Sequence, residues 1–303
     1  MDSNAKIFFA SLPEEQNTAR EDVNGKSSMS VIEKYRMAKS YLYIKKHKRF
    51  FAKVSESKLH ALIERAPFYY DLERIAYDYD LCDICNLEGI NIYPLKRAFK
   101  TVVSMLYKYP RLRAGLNYFG TEDGYNNMLQ RVKDSNSETL HALGIDCKEI
   151  KDIIIRDIDG YFVNDTKSEV IAMAIQSCSV FDGILLVKSR FEGYKFITTD
   201  RDIKSSVKKK FFPKECDKIE AITAHEVGHL LDYLCNLSDS EELLSIWRQL
   251  NKFEKKIYLS QYSSTSPQEF VAEGFSEYVC SSEPRQVARI IGRLLEEKMK
   301  NIK

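Results

Sequence analysis

The sequence predicts an α+β protein: a small mixed sheet with helices across it, preceded by an all-helical region. Three observations carry that expectation. Apolar residues recur at helical spacing through residues 31–109, short β-branched segments alternate with helical ones after Pro110, and helical periodicity returns from residue 217 onward.

In chain order, residues 11–30 are polar, with Pro, Asn, Gly and Ser and few apolar anchors, which predicts a mobile leader over 1–30. The helical pattern begins with Val31, Ile32, Tyr35, Met37, Leu42 and Ile44 and continues through Leu59, Leu62 and Ile63. Leu95, Phe99, Val102, Val103, Leu106 and Tyr107 then form a stripe at spacings of three and four. Pro67, the Leu87-Glu88-Gly89 turn and Pro94 are expected to divide this run into three or four helices, and Tyr109-Pro110 to close it. Beyond it, residues 114–119 read as a strand, and Gly120, Asp123 and Gly124 as the turn into a helix over 125–143. Residues 152–158 and 161–163 read as short strands about an Asp159-Gly160 turn, and 168–177 as a helix. Residues 184–187 and 194–198 are expected to pair as a hairpin around Phe191-Glu192-Gly193. The domain boundary falls near Pro110.

Composition excludes several classes of function. The 303 residues are 44% hydrophobic and 30% charged, as in soluble globular proteins. Lys plus Arg number 46 against 44 Asp plus Glu, a net charge of +2 that argues against a dedicated nucleic-acid binder. The one local exception, Lys45-Lys46-His47-Lys48-Arg49, reads as a solvated helix face. No stretch reaches the roughly 18 apolar residues that span a bilayer, and the N-terminus lacks the charged and apolar regions of a secretory signal. Seven scattered cysteines suit a reducing compartment. A cytoplasmic protein is expected, with signal-independent export as the other route. Cys82-Asp83-Ile84-Cys85 is the only CxxC, and with no second ligand pair nearby it reads as two ordinary thiols on a helix or turn.

The chemistry concentrates in His225-Glu226-Val227-Gly228-His229. This segment is expected on a helix over 217–237 that opens with a capping box, Asp217 with Glu220, and buries Ile219, Ile222, Leu230, Leu231 and Leu234. Histidines four apart leave one helix face a turn from each other, so both can bind one zinc ion. Glu226 follows the first histidine and can take a proton from the water such an ion binds. Gly228 is expected to keep the backbone beneath the metal free of side-chain bulk. Two buried histidines and a surface acid in accidental register are the bland reading; a chance H-E-x-x-H in such a chain is on the order of one in a hundred.

A catalytic zinc keeps three protein ligands and an open position. Continuation of the motif with a third histidine fails, because Asp232 and Cys235 stand where a glycine and a histidine are required. The other source is an acid on a later helix, and Ser266-Pro267-Gln268-Glu269-Phe270-Val271-Ala272-Glu273 begins one, with Ser266 as N-cap and Pro267 at the first position. Glu269 can complete a capping box with Ser266, leaving Glu273 as ligand. Both acids point the same way, so helix geometry alone does not choose between them.

The segments 225–232 and 262–275 resemble the anthrax lethal factor-like zinc peptidases, Glu-ligand zincins related to bacterial Pro-Pro endopeptidases. In that family an H-E-x-G-H helix is followed about forty residues later by a tyrosine seven positions before the zinc glutamate, which sits in an E-F-x-A-E stretch. Tyr262 and Glu269-Phe270-Val271-Ala272-Glu273 meet that pattern without a gap. The resemblance covers about the last 190 residues, and only these two segments are specific. It implies Glu269 as the third zinc ligand, Glu273 as support for a ligand histidine, and Tyr262 as hydroxyl donor to the oxyanion. It also implies a zincin-like metallopeptidase domain over 110–303, after a helical domain of unassigned role over 31–109. In that architecture an edge strand lines the cleft and pairs with extended substrate. Leu186, Val187 and Lys188 are the candidates here, although four consecutive apolar residues equally suit a buried central strand.

The expected function is therefore a zinc endopeptidase with one zinc per chain, acting on a protein or peptide, with no nucleic-acid or membrane partner. A zincin-like structural or interaction module, phage or mobile-element associated, is the alternative from another class. A protein-targeting toxin would be a subtype of the first, with residues 31–109 choosing the target.

Overall fold

The computed structural model describes residues 54–135, 163, 170–176 and 182–301. The expected leader, the first helical stretch with its basic run, and the strands over 152–158 and 161–163, Val163 excepted, lie outside the described residues. The described chain is an α+β structure, mostly helical, with one small mixed sheet.

Helix α1 (Glu56–Arg65) is capped by Ser55, whose side chain accepts from Lys58 N, and is followed by α2 (Tyr69–Asp78) and the short strand β1 (Ile84–Asn86). Helix α3 (Ile92–Lys108) starts at Asn91, whose side chain accepts from Tyr93 N. Pro94 does not divide it. The proline sits in the first turn, where the N–H has no helical partner to lose. A 3-10 turn (Pro110–Ala114) leads to β2 (Tyr118–Thr121) and α4 (Glu122–Ser135). Then come β3 (Ala172–Ile175), β4 (Gly183–Leu186), the single turn α5 (Lys188–Phe191) and α6 (Lys195–Lys208). The remainder is α7 (Ile219–Cys235), α8 (Glu241–Gln249), α9 (Lys252–Tyr258), a second 3-10 turn (Tyr262–Ser264), α10 (Pro267–Cys280) and α11 (Gln286–Asn301).

The strand order is β1-β2-β4-β3. β1 pairs parallel to β2 with Ile84 opposite Tyr118, β2 parallel to β4 with Tyr118 opposite Gly183, and β3 antiparallel to β4 with Ala172 opposite Leu186. Three sequence expectations change here. Residues 172–175 form strand β3 inside the expected helix 168–177: Ala-Met-Ala-Ile has helical propensity, and pairing with β4 overrides it. Residues 194–198 begin helix α6 instead of returning as a hairpin strand. Thr199, Ile203 and Ser206 are its buried positions, and Asn91 Nδ2 fixes the preceding bend by donating to Gly193 O at 2.8 Å. The strand expected over 114–119 starts at Tyr118, because residues 110–114 close the 3-10 turn.

The boundary expected near Pro110 is also corrected. β1, from the supposed helical domain, is hydrogen-bonded to β2, and α3 packs its buried face against α7. Wholly buried Arg113 joins the two stretches: its guanidinium reaches Asp80 Oδ1 at 3.0 Å, Asp83 Oδ1 at 2.6 Å and the Leu116 carbonyl at 3.1 Å. One hydrophobic core runs from Leu59 to Met299. A helical stripe reports that a face is buried without reporting against what, and a three-residue strand shows no alternation.

Helix α7 lies at the centre, with every residue from Ala221 to Asp232 buried. Its closest neighbour is α10. A Cβ at Gly228 would stand 3.0 Å from Ala272 Cα and 3.3 Å from the Phe275 ring, so the glycine serves this helix contact and not clearance beneath a metal. Among the described residues no helix is long and apolar enough to cross a membrane.

Candidate metal centre

Two helices and one turn bring the candidate residues together. α7 presents His225, Glu226 and His229, α10 presents Glu269 and Glu273, and the 3-10 turn before α10 presents Tyr262. The expected Asp217–Glu220 capping box does not form. Lys218 is the N-cap without a side-chain bond, and Glu220 is held instead by Arg97, at 2.9 Å from Nε and 2.6 Å from Nη2. At α10 the N-cap is Ser266, whose Oγ accepts from Glu269 N at 3.1 Å, with Pro267 in the first turn. The Glu269 side chain does not complete a capping box, because it turns toward α7.

His225 Nε2, His229 Nε2 and Glu269 Oε2 form a nearly equilateral triangle. The two nitrogens are 3.1 Å apart, and the carboxylate oxygen lies 3.2 Å from the first and 3.3 Å from the second. An ion held tetrahedrally by bonds of about 2.0–2.1 Å spaces its ligand atoms about 3.3 Å apart. All three residues are buried, and together they could hold a metal ion. Glu269 Oε2 is buried, faces the two imidazole nitrogens, and among the described residues has no hydrogen-bond partner. A buried anionic oxygen in that position is costly unless a cation meets it.

The outer contacts prepare the same atoms. His225 Nδ1 lies 2.8 Å from Glu273 Oε1, close enough for that carboxylate to hold a proton on Nδ1 and leave Nε2 to a metal ion in the triangle. Glu269 Oε1 accepts from the Tyr262 hydroxyl at 3.0 Å. Burial would raise the Glu269 carboxyl, but His229 and His225 outweigh it and hold the group well below the usual carboxylate range. Burial raises Glu273 as well, opposed by His225 and by the Ser260 hydroxyl beside it. The Tyr262 phenol is pushed far above its ordinary value by burial and by the Glu269 carboxylate, so it remains a donor.

Glu226 is buried next to this triangle, with burial raising its pKa and the two histidines and the Ala174 amide of β3 opposing the shift. Among the described residues its Oε1 has no hydrogen-bond partner. The strand at its side is thus β3. The expectation that Leu186, Val187 and Lys188 form a substrate-pairing edge is corrected: β4 is paired on both sides, Val187 caps α5, and Lys188 N donates to Glu122 Oε2 at 2.9 Å. Cys82 and Cys85 are free thiols in the loop before β1 and in β1 itself.

Three contributors had no signal in the sequence. Ala174 acts through its backbone. Ser260 is wholly buried, and its Oγ accepts from Ser263 N at 3.0 Å. The Phe211 ring lies 5.5 Å from the Tyr262 ring, across about fifty positions of chain. Comparison with known proteins finds no matching family model, no matching curated protein and no matching solved structure.

Proposed function

We propose that this protein is a zinc-dependent endopeptidase of zincin-like architecture, with His225, His229 and Glu269 as the zinc ligands. The observation that carries the reading is the buried triangle of two imidazole nitrogens and one carboxylate oxygen with sides of 3.1, 3.2 and 3.3 Å. Two histidines and a glutamate are a donor set that suits zinc, leaving the fourth position open. The resemblance of residues 225–232 and 262–275 to the lethal factor-like peptidases supports the same assignment. Bound zinc supplies Lewis acidity, which polarises a carbonyl and acidifies a water.

The chain's own residues do the rest. Glu226 is the general base: its unpartnered Oε1 takes the proton from the attacking water and returns it to the departing amide nitrogen. Burial raises its pKa, which suits a group that must both accept and release a proton. Tyr262, kept protonated, turns its hydroxyl from Glu269 to the oxygen that gains charge as the carbonyl is attacked. Glu273 holds His225 in the tautomer whose Nε2 is free. Among the described residues β3 is the outer strand beside Glu226, which supports binding of an extended peptide along it.

The purified protein is expected to hold one zinc per chain and to cleave peptides. Cleavage should stop when a strong chelator removes the metal and resume when zinc is restored. Undiminished cleavage by protein shown to be metal-free would overturn the proposal.

A further inference from the structure

The loop after α6 and the turn that carries Tyr262 are built as one unit. α6 closes with Lys210 N donating to Val207 O at 2.9 Å and Phe211 N to Ser206 O at 2.8 Å. Lys210 adopts φ +57°, a left-handed conformation that a lysine takes only when its surroundings hold it there. This closure aims two carbonyls at the catalytic turn. Gln261 N donates to Lys210 O at 2.8 Å, and Tyr262 N to Phe211 O at 3.2 Å. The far side of the turn is held by Trp247 Nε1 on Ser263 O at 3.4 Å and by the Ser260 hydroxyl.

The rings continue the same arrangement. Phe211 lies 5.5 Å from Tyr262 with planes 32° apart, and Tyr262 lies 6.0 Å from His225 with planes 36° apart. Phe211 is itself braced edge-on by buried Phe212 at 5.2 Å and 68°. The backbone bonds fix where Tyr262 begins, and the ring contacts set the plane from which its hydroxyl reaches Glu269 Oε1 at 3.0 Å. A misplacement of about 1 Å at such a hydroxyl costs on the order of 100-fold in rate.

We infer that Phe211 is a positioning residue that acts through Tyr262, its ring setting the plane of the phenol and hence the place of the hydroxyl. The inference rests on the proposed role of Tyr262.

The test is a double-mutant cycle followed by steady-state peptide cleavage on the zinc-loaded full chain. Phe211→Ala is expected to lower kcat about 10- to 100-fold with KM and zinc content unchanged, while Phe211→Trp, which keeps a ring, restores most of it. In a Tyr262→Phe background Phe211→Ala should cost nothing further. An equal loss in both backgrounds, or a change in KM alone, overturns the inference. Should Phe211→Ala fail to fold, Phe211→Leu replaces it, with a smaller loss expected in the same cycle.

A second readout does not depend on activity. In protein labelled at tyrosine 13Cζ, the Tyr262 signal, identified by its absence from Tyr262→Phe, should shift or split in Phe211→Ala with or without metal. An unchanged signal overturns the positioning role. A parent with no Glu226-dependent cleavage would defeat the peptidase reading instead, and the NMR comparison would still decide what Phe211 does.

Discussion

His225 Nδ1 lies 2.8 Å from Glu273 Oε1, while Nε2 of the same ring lies 3.2 Å from Glu269 Oε2. One imidazole therefore separates the two acids of α10 and gives them different work, Glu269 facing the triangle and Glu273 backing it. Glu269→Ala is expected to abolish stoichiometric zinc binding. Glu273→Ala should keep a site of about 10- to 100-fold lower affinity. Competition with a chromogenic chelator measures both, and the reverse ranking would make Glu273 the ligand.

Tyr262 donates to Glu269 Oε1 at 3.0 Å, and burial keeps its phenol protonated. Tyr262→Phe removes the hydroxyl and keeps the ring. The expected loss is about 100-fold in kcat with zinc content unchanged, the magnitude of one lost oxyanion donor. A variant with normal kcat and raised KM would assign Tyr262 to substrate binding alone.

Gly228 lies where α7 packs on α10, and an added Cβ there would meet Ala272 Cα at 3.0 Å. Alanine favours helix by about 1 kcal/mol over glycine, so an isolated helix would gain. In this chain overpacking is expected to win, and Gly228→Ala should lower stability by about 1–3 kcal/mol in urea denaturation. Zinc affinity should fall with it, because the helices that carry the three candidate ligands are pushed apart. A gain in stability would mean that the contact has slack.

The stretch before Pro110 is part of the same core, so a fragment of residues 110–303 is expected not to fold. It lacks β1, the buried face of α3 and the carboxylates that neutralise Arg113. Stranding that buried guanidinium alone costs about 3–5 kcal/mol. A sharp cooperative unfolding transition from the fragment would restore two independent domains.

The readable parts of this sequence were those with a local period. His225 and His229 are one helical turn apart, and Glu269 and Glu273 repeat that spacing, so each pair shares a face whatever surrounds it. Which acid faces the triangle was not local, since it depends on how α10 crosses α7 at Gly228 and Ala272. Residues 172–175 become a strand only because β4 is there to pair with, and 184–188 lose their edge for the same reason. Phe211 carries no spacing at all. Its place beside Tyr262 follows from a left-handed residue at Lys210 and two carbonyls, none of which residue types disclose.

The most direct test of the peptidase reading compares the parent with Glu226→Ala on a peptide library, both loaded with zinc and assayed side by side. Glu226 is no ligand of the triangle, so the variant should hold one zinc per chain and retain the parent's unfolding profile. The expected result is a defined set of cleavage products from the parent and a fall of at least about 100-fold for the variant. Equal cleavage by the two proteins would contradict the mechanism at its central residue.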